Sequence, residues 1–90
     1  MRLRMYKVLL TKDALKYYKK SDNNTKKKLN KSFEVLQENP YEGSNIKRLH
    51  GELAGLYRYR TGALRIIYKI EDEKVSVIII AIGARGDIYK

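Results

Sequence analysis

The spacing of apolar positions changes its period along this chain. Tyr6-Lys-Val-Leu-Leu10 reads as a short strand, and Thr11, directly after it, supplies an oxygen to cap a helix reaching about Lys20. Ser21-Asp22-Asn23-Asn24 interrupts that helix, and Asn24 or Thr25 caps a second one. Leu29, Phe33 and Leu36 then recur at the i, i+4, i+7 spacing of a helical stripe. Asn39-Pro40 ends it, because proline disfavours helix in the residue before it. After a polar loop from Tyr41 to Gly55 the period drops to two. Residues 56–61, 64–70 and 75–82 are strand-like runs rich in β-branched and aromatic residues, parted by a turn at Gly62 and another at Glu71-Asp72-Glu73-Lys74. The tail from Gly83 to Lys90 reads as loop or a brief final strand. The expected fold is α+β: a two-helix hairpin packed on one face of a small, mainly antiparallel four-stranded sheet, with residues 1–90 forming a single domain.

Alternation along the first hairpin sorts its side chains by face. A turn on Thr61-Gly62 sets Arg58 opposite Arg65, and a turn on Gly62-Ala63 sets Arg60 opposite Arg65. Either even-length turn puts Arg58, Arg60 and Arg65 on one face and sends Tyr57, Tyr59, Leu64, Ile66, Tyr68 and Ile70 to the other. The second face is the predicted core, receiving Leu29, Phe33 and Leu36, with Val75, Val77 and Ile79 joining if the next turn is also even. The arginine face then also carries Ile67, Ser76, Ile78, Ile80 and Ile82, an apolar expanse that calls for a cover from the tail or a partner segment.

Charge sharpens this picture. The chain has 90 residues, 20 Lys+Arg against 10 Asp+Glu, a net charge of +10, and no Cys or Trp. A chain this short hides only about 60–68% of its unfolded surface, so a deep cofactor cavity is not expected. Lacking cysteine, it has no disulfide framework, thiolate metal site or thiol nucleophile, which fits a reducing, cytoplasmic setting. The longest apolar run, residues 77–82, falls far short of the roughly 20 residues that span a bilayer, and the first residues lack a signal-peptide apolar region. Every basic residue from Lys7 to Lys47 is lysine, whereas Arg48, Arg58, Arg60, Arg65 and Arg85 fall in the second half. Arginine presents a planar fork that grips phosphate oxygens in pairs, while lysine is a hydrated point charge suited to solvated helices. Like charges placed opposite in a sheet destabilise it by up to about 1 kcal/mol per pair. Folding alone does not select three clustered arginines, and a polyanion relieves their repulsion, so a phosphate-binding groove is expected, with Arg85 added if the tail folds back.

The string Leu49-His-Gly-Glu-Leu-Ala-Gly-Leu-Tyr-Arg-Tyr-Arg-Thr-Gly-Ala-Leu-Arg-Ile-Ile-Tyr, followed by Ile82-Gly-Ala-Arg-Gly-Asp-Ile-Tyr, resembles the RelE branch of the RelE/ParE toxin superfamily. The resemblance runs in order over nearly the whole chain. It implies the toxin half of a type II toxin–antitoxin pair, a cytoplasmic endoribonuclease that enters the ribosomal A site and cuts mRNA, restrained by a RelB-like antitoxin. Its implied partners are that antitoxin, the ribosome and mRNA, with no membrane, metal or small-molecule cofactor. The implied chemistry is attack by the 2′-hydroxyl on the adjacent phosphate, leaving a cyclic phosphate and a 5′-hydroxyl. Position by position, the resemblance assigns RNA binding to Arg58 and Arg60, and catalysis to Arg65, Arg85 and Tyr89. Family members often carry lysine where Arg58 or Arg60 stands, and some carry histidine where this chain has Ala84. An arginine, with a pKa above about 12, is a poor base. Tyr89 therefore has to be activated by neighbouring cations to accept a proton, or else it stacks on a base or orients the 2′-hydroxyl. The rival from the same fold is a ParE-like inhibitor of DNA gyrase without catalysis.

The remaining candidates read more plainly. Lys26, Lys27 and Lys28 form a solvated helix face that is also suited to resting on ribosomal RNA phosphates. His50 is the only histidine, in a loop where the family pattern does not require one. Glu71, Asp72 and Glu73 form a charged hairpin turn, not a metal site. Tyr17 and Tyr18 fit packing of helix on sheet.

Overall fold

The computed structural model describes residues 5–84. Strand β1 (Lys7–Leu10) leads through Thr11 into helix α1 (Lys12–Lys20), and the Thr11 hydroxyl accepts from the Ala14 amide at 3.2 Å, as the sequence predicts. The same hydroxyl donates to the Ile80 carbonyl at 2.9 Å, so the cap also ties the helix to the sheet. Helix α2 (Asn23–Glu38) is capped by Asp22, whose carboxylate accepts from Thr25 at 2.8 Å, not by Asn24 or Thr25. Aspartate takes the cap because the helix starts earlier than the break suggests, at Asn23, which leaves Asp22 in extended backbone just ahead of the first helical turn. That bond to the Thr25 amide holds the Asp22 carboxyl below its usual range.

Four more strands follow: β2 (Ile46–Arg48), β3 (Tyr57–Thr61), β4 (Leu64–Glu71) and β5 (Ser76–Ala84). They form with β1 a five-stranded sheet in the order β1-β5-β4-β3-β2, where four strands were expected. The addition is β2, whose three residues lie in the stretch read as polar loop and which pairs antiparallel with β3. β1 pairs parallel to β5, and the other pairings are antiparallel.

Both helices lie against one face of the sheet. Ala14, Leu29 and Leu36 pack there with Tyr59, Leu64, Ile66, Tyr68, Val77 and Ile79, while Phe33 joins only partly buried. The Tyr68 hydroxyl, inside this core, donates to the Pro40 carbonyl at 2.8 Å and so remains satisfied. The alternation expected for the last strand fails midway. Ile67 pairs with Ala81 and Tyr68 with Ile79, so Ile80 has no opposite number. This bulge shifts the period by one residue and carries Ile82, expected on the arginine face, into the core opposite Ile66. Val75, which leads into β5, adopts a left-handed conformation at φ 48°, a strained state for a β-branched residue. Among the described residues no helix is long and apolar enough to cross a membrane.

Candidate functional site

The turn between β3 and β4 is built on Gly62-Ala63, with Thr61 opposite Leu64. Gly62 has φ 59°, which glycine adopts without the Cβ penalty. This decides between the two registers open from sequence. Arg60 stands opposite Arg65, and Arg58 stands opposite Ile67. Arg58, Arg60 and Arg65 thus share the face turned away from the helices, as expected. Strand β2 adds a cation there, because Lys47 is the partner of Arg58. Lys47 escapes sequence reading because Ile46-Lys47-Arg48 is too short an alternation to stand out within a polar stretch.

These four cations occupy three adjacent strands, and among the described residues none of them pairs with a carboxylate. Among the described residues the Arg65 guanidinium makes a single, long hydrogen bond, 3.4 Å from Nη1 to the Ala63 carbonyl. Arg60 and Lys47 are exposed, whereas Arg58 is half-buried and its Nε is buried with no hydrogen-bond partner among the described residues. Leaving such a donor unmet costs about 1–3 kcal/mol. Glu71, at the far end of β4 from Arg65, sits 3.4 Å from Lys69 and 3.9 Å from Lys74. Ile67, flanked by Arg58 and Ala81 on this face, is 4% exposed. The surface between the cations is therefore apolar and tight.

The other candidates within the described residues fall outside this constellation. Arg85 and Tyr89 lie outside the described residues. Lys26, Lys27 and Lys28 belong to the first turns of α2, in the layer covering the opposite face, where the Lys26 ammonium stands 5.7 Å from the centre of the Tyr18 ring. His50 is exposed, and its side chain caps nothing. Asp72 is structural: its Oδ1 accepts from the Tyr6 hydroxyl at 2.8 Å and the Tyr41 hydroxyl at 2.9 Å. Among the described residues no three histidine, cysteine or acidic side chains come together as metal ligands. Burial, and then the neighbouring phenols of Tyr57 and Tyr59, raise the Tyr68 hydroxyl above its ordinary pKa. Burial and the bond to Asp72 do the same for Tyr41. Both stay protonated at neutral pH and neither stands on the arginine face, so neither serves there as a base. Clustered cationic side chains with no paired carboxylate are, chemically, donors of the kind that suit phosphate oxygens.

Comparison with known proteins agrees with this fold. The family described as ParE toxin of type II toxin-antitoxin system, parDE, matches residues 8–89. Toxin RelG of Mycobacterium tuberculosis is 43% identical over 44 residues, covering 49% of this chain and 51% of RelG, so the match spans about half of that relative. In the toxin-antitoxin complex RelBE2 of Mycobacterium tuberculosis, one chain superposes with a TM-score of 0.81 at 29% identity, over 96% of this chain and 98% of that one. The intact Escherichia coli RelBE toxin-antitoxin complex gives a TM-score of 0.75 at 27% identity, over 88% of this chain and 95% of the matched chain.

Proposed function

The chain belongs to the ParE toxin family of type II toxin–antitoxin systems, within the RelE/ParE superfamily, and on that premise we propose that it is a ribosome-dependent endoribonuclease cutting mRNA in the A site. The observation that carries the reading is the directly opposed Arg60 and Arg65, with Arg58 and Lys47 on the same face and no carboxylate paired to any of them among the described residues. Cations set side by side across strands repel one another, and a polyanion such as an RNA backbone relieves that repulsion.

In the proposed reaction the 2′-oxygen forms a bond to phosphorus as the bond from phosphorus to the 5′-oxygen breaks. The 2′ proton leaves and the departing 5′-oxygen gains one, giving a cyclic phosphate and a 5′-hydroxyl. The pentacoordinate phosphorus carries extra negative charge, and preorganised donors facing such charge are worth several kcal/mol. Arg65, together with Arg85, fills that role. Arg58, Arg60 and Lys47 bind the flanking phosphates in ground and transition state alike. Tyr89 orients the 2′-hydroxyl or accepts its proton. The reaction needs charge neutralisation above all, and these side chains supply it without a metal. Lys26, Lys27 and Lys28 rest on ribosomal RNA, and a RelB-like antitoxin restrains the toxin, as the complexes among the similar structures suggest.

The test is a purified translation system with ribosomes holding an open A site. Wild-type protein cuts the mRNA there and Arg65→Ala does not. Intact mRNA with the wild-type protein, or gyrase supercoiling blocked at stoichiometric protein, overturns the reading.

A further inference from the structure

At the opposite end of β3 from the Arg60–Arg65 pair, and on the helix side of the sheet, lies a depression of about 240 Å³ lined by Tyr41, Ile46, Arg48 and Tyr57. Tyr41 follows directly on Pro40, where α2 has ended, and is held from several sides. Its hydroxyl donates to Asp72, and its ring stands edge-on to Tyr6 at 6.3 Å and to Tyr57 at 6.1 Å. Tyr57 in turn stacks on the buried Tyr68 at 5.6 Å and 17°. Despite this anchoring, Tyr41 remains 42% exposed. Folding has fixed an aromatic ring without gaining its full burial. Arg48, the strand partner of Tyr57, projects to the same side, is exposed, and makes no hydrogen bond or ion pair among the described residues.

We infer that this depression is a second nucleotide subsite, taking one base of single-stranded RNA against Tyr41 and Tyr57 and the neighbouring phosphate on Arg48. Fixed aromatic rings beside an unpaired guanidinium are what single-strand recognition uses, since every base has a face to stack and every linkage has a charge. The size agrees, because 240 Å³ falls below the range of about 300–1,000 Å³ typical of drug-sized ligands and suits a single ring system. Strand β2 connects this subsite to the arginine face. It is the edge of the sheet, and its alternation sends Lys47 to the arginines and Arg48 to the tyrosines. A strand leaving Arg58 and Lys47 therefore meets Arg48 as it rounds the edge. The inference rests on the nuclease reading for the identity of that strand as mRNA flanking the cut.

The test uses a short 2′-O-methyl oligoadenylate, which lacks the attacking hydroxyl and so reports binding alone. With 8 Tyr and no Trp, the chain emits only tyrosine fluorescence, which a stacked base quenches. Tyr41→Leu is expected to weaken binding about 5- to 150-fold, the worth of one stacked base. Arg48→Gln, which breaks no side-chain hydrogen bond or ion pair within the described residues, is expected to reduce the magnitude of the slope of log affinity against log salt by about 0.7. Unchanged affinity and slope in Arg48→Gln overturn the inference. So does loss of antitoxin binding with oligonucleotide binding intact, since the depression is then a protein contact. Arg48-dependent binding with no mRNA cleavage on ribosomes removes the nuclease reading and keeps this subsite. Cleavage with Arg48-independent binding does the reverse.

Discussion

Replacing Arg65 with glutamine should move stability and activity in opposite directions. Arg60 and Arg65 are directly opposed, and side chains at such positions leave the sheet with Cβ atoms about 5 Å apart. With the two charges about 7 Å apart in a water-like dielectric, their repulsion is about 0.6 kcal/mol. Glutamine keeps much of the side-chain stem and removes that term, so the folded state should gain about 0.6 kcal/mol, a rise in Tm of about 2–5 °C for a domain of this size. In 1 M salt the Debye length shrinks to about 3 Å and the gain should largely vanish. Arg65→Lys keeps the charge, so it should show no gain in either buffer. Cleavage of mRNA on programmed ribosomes should fall about 100- to 1,000-fold in Arg65→Gln, the usual loss for one donor to a developing anion. Thermal melts at two salt concentrations and a cleavage time course are sufficient. A loss of stability in Arg65→Gln, a gain that survives high salt, or unaltered cleavage refutes the idea that this pair is retained for binding phosphate at a cost to folding.

Other expectations concern the frame that holds the site. Relief of the left-handed strain at Val75, worth about 1–2 kcal/mol, should offset the lost contacts of a partly buried side chain, so Val75→Gly should shift the denaturation midpoint only slightly. Ile79→Ala, which empties a fully buried position, should cost about 2–5 kcal/mol in the same assay. Ser32 is 1% exposed and its hydroxyl donates to the Lys28 carbonyl, so Ser32→Ala removes the donor together with its polar atom and should change chemical-denaturation stability by less than about 0.5 kcal/mol. The Tyr68 hydroxyl has a raised pKa in the folded state, so above pH of about 10 the unfolded chain loses that proton first. Stability is then complete below pH about 10 and falls as pH rises, by about 1.4 kcal/mol per unit from this residue. Alkaline denaturation of Tyr68→Phe should lack that slope, and an identical slope in both proteins assigns the effect elsewhere.

Much of this molecule is written locally. The Thr11 cap, the stripe of Leu29, Phe33 and Leu36, the stop at Pro40 and the alternation of Tyr57-Arg-Tyr-Arg depend on neighbours in the chain, and backbone geometry converts each spacing into a face. That is why the three arginines are recognisable as a group before any strand is paired, and why only their register stays open. The choice of Arg60 over Arg58 as the partner of Arg65 depends on where the hairpin places its glycine. The remaining features rest on groups distant in sequence. Ile82 turns inward because β5 accommodates an extra residue at Ile80 while keeping its pairing with β4 at both ends. Lys47 and Arg48 take their places on opposite faces because three residues, too few to form a strand alone, are held by pairing with β3. Tyr41 is fixed by an aspartate 31 positions away. Alternation alone thus determined which face carries the arginines, whereas the placement of Lys47, Arg48 and Tyr41 was decided by pairing and packing between segments whose contact no local pattern encodes.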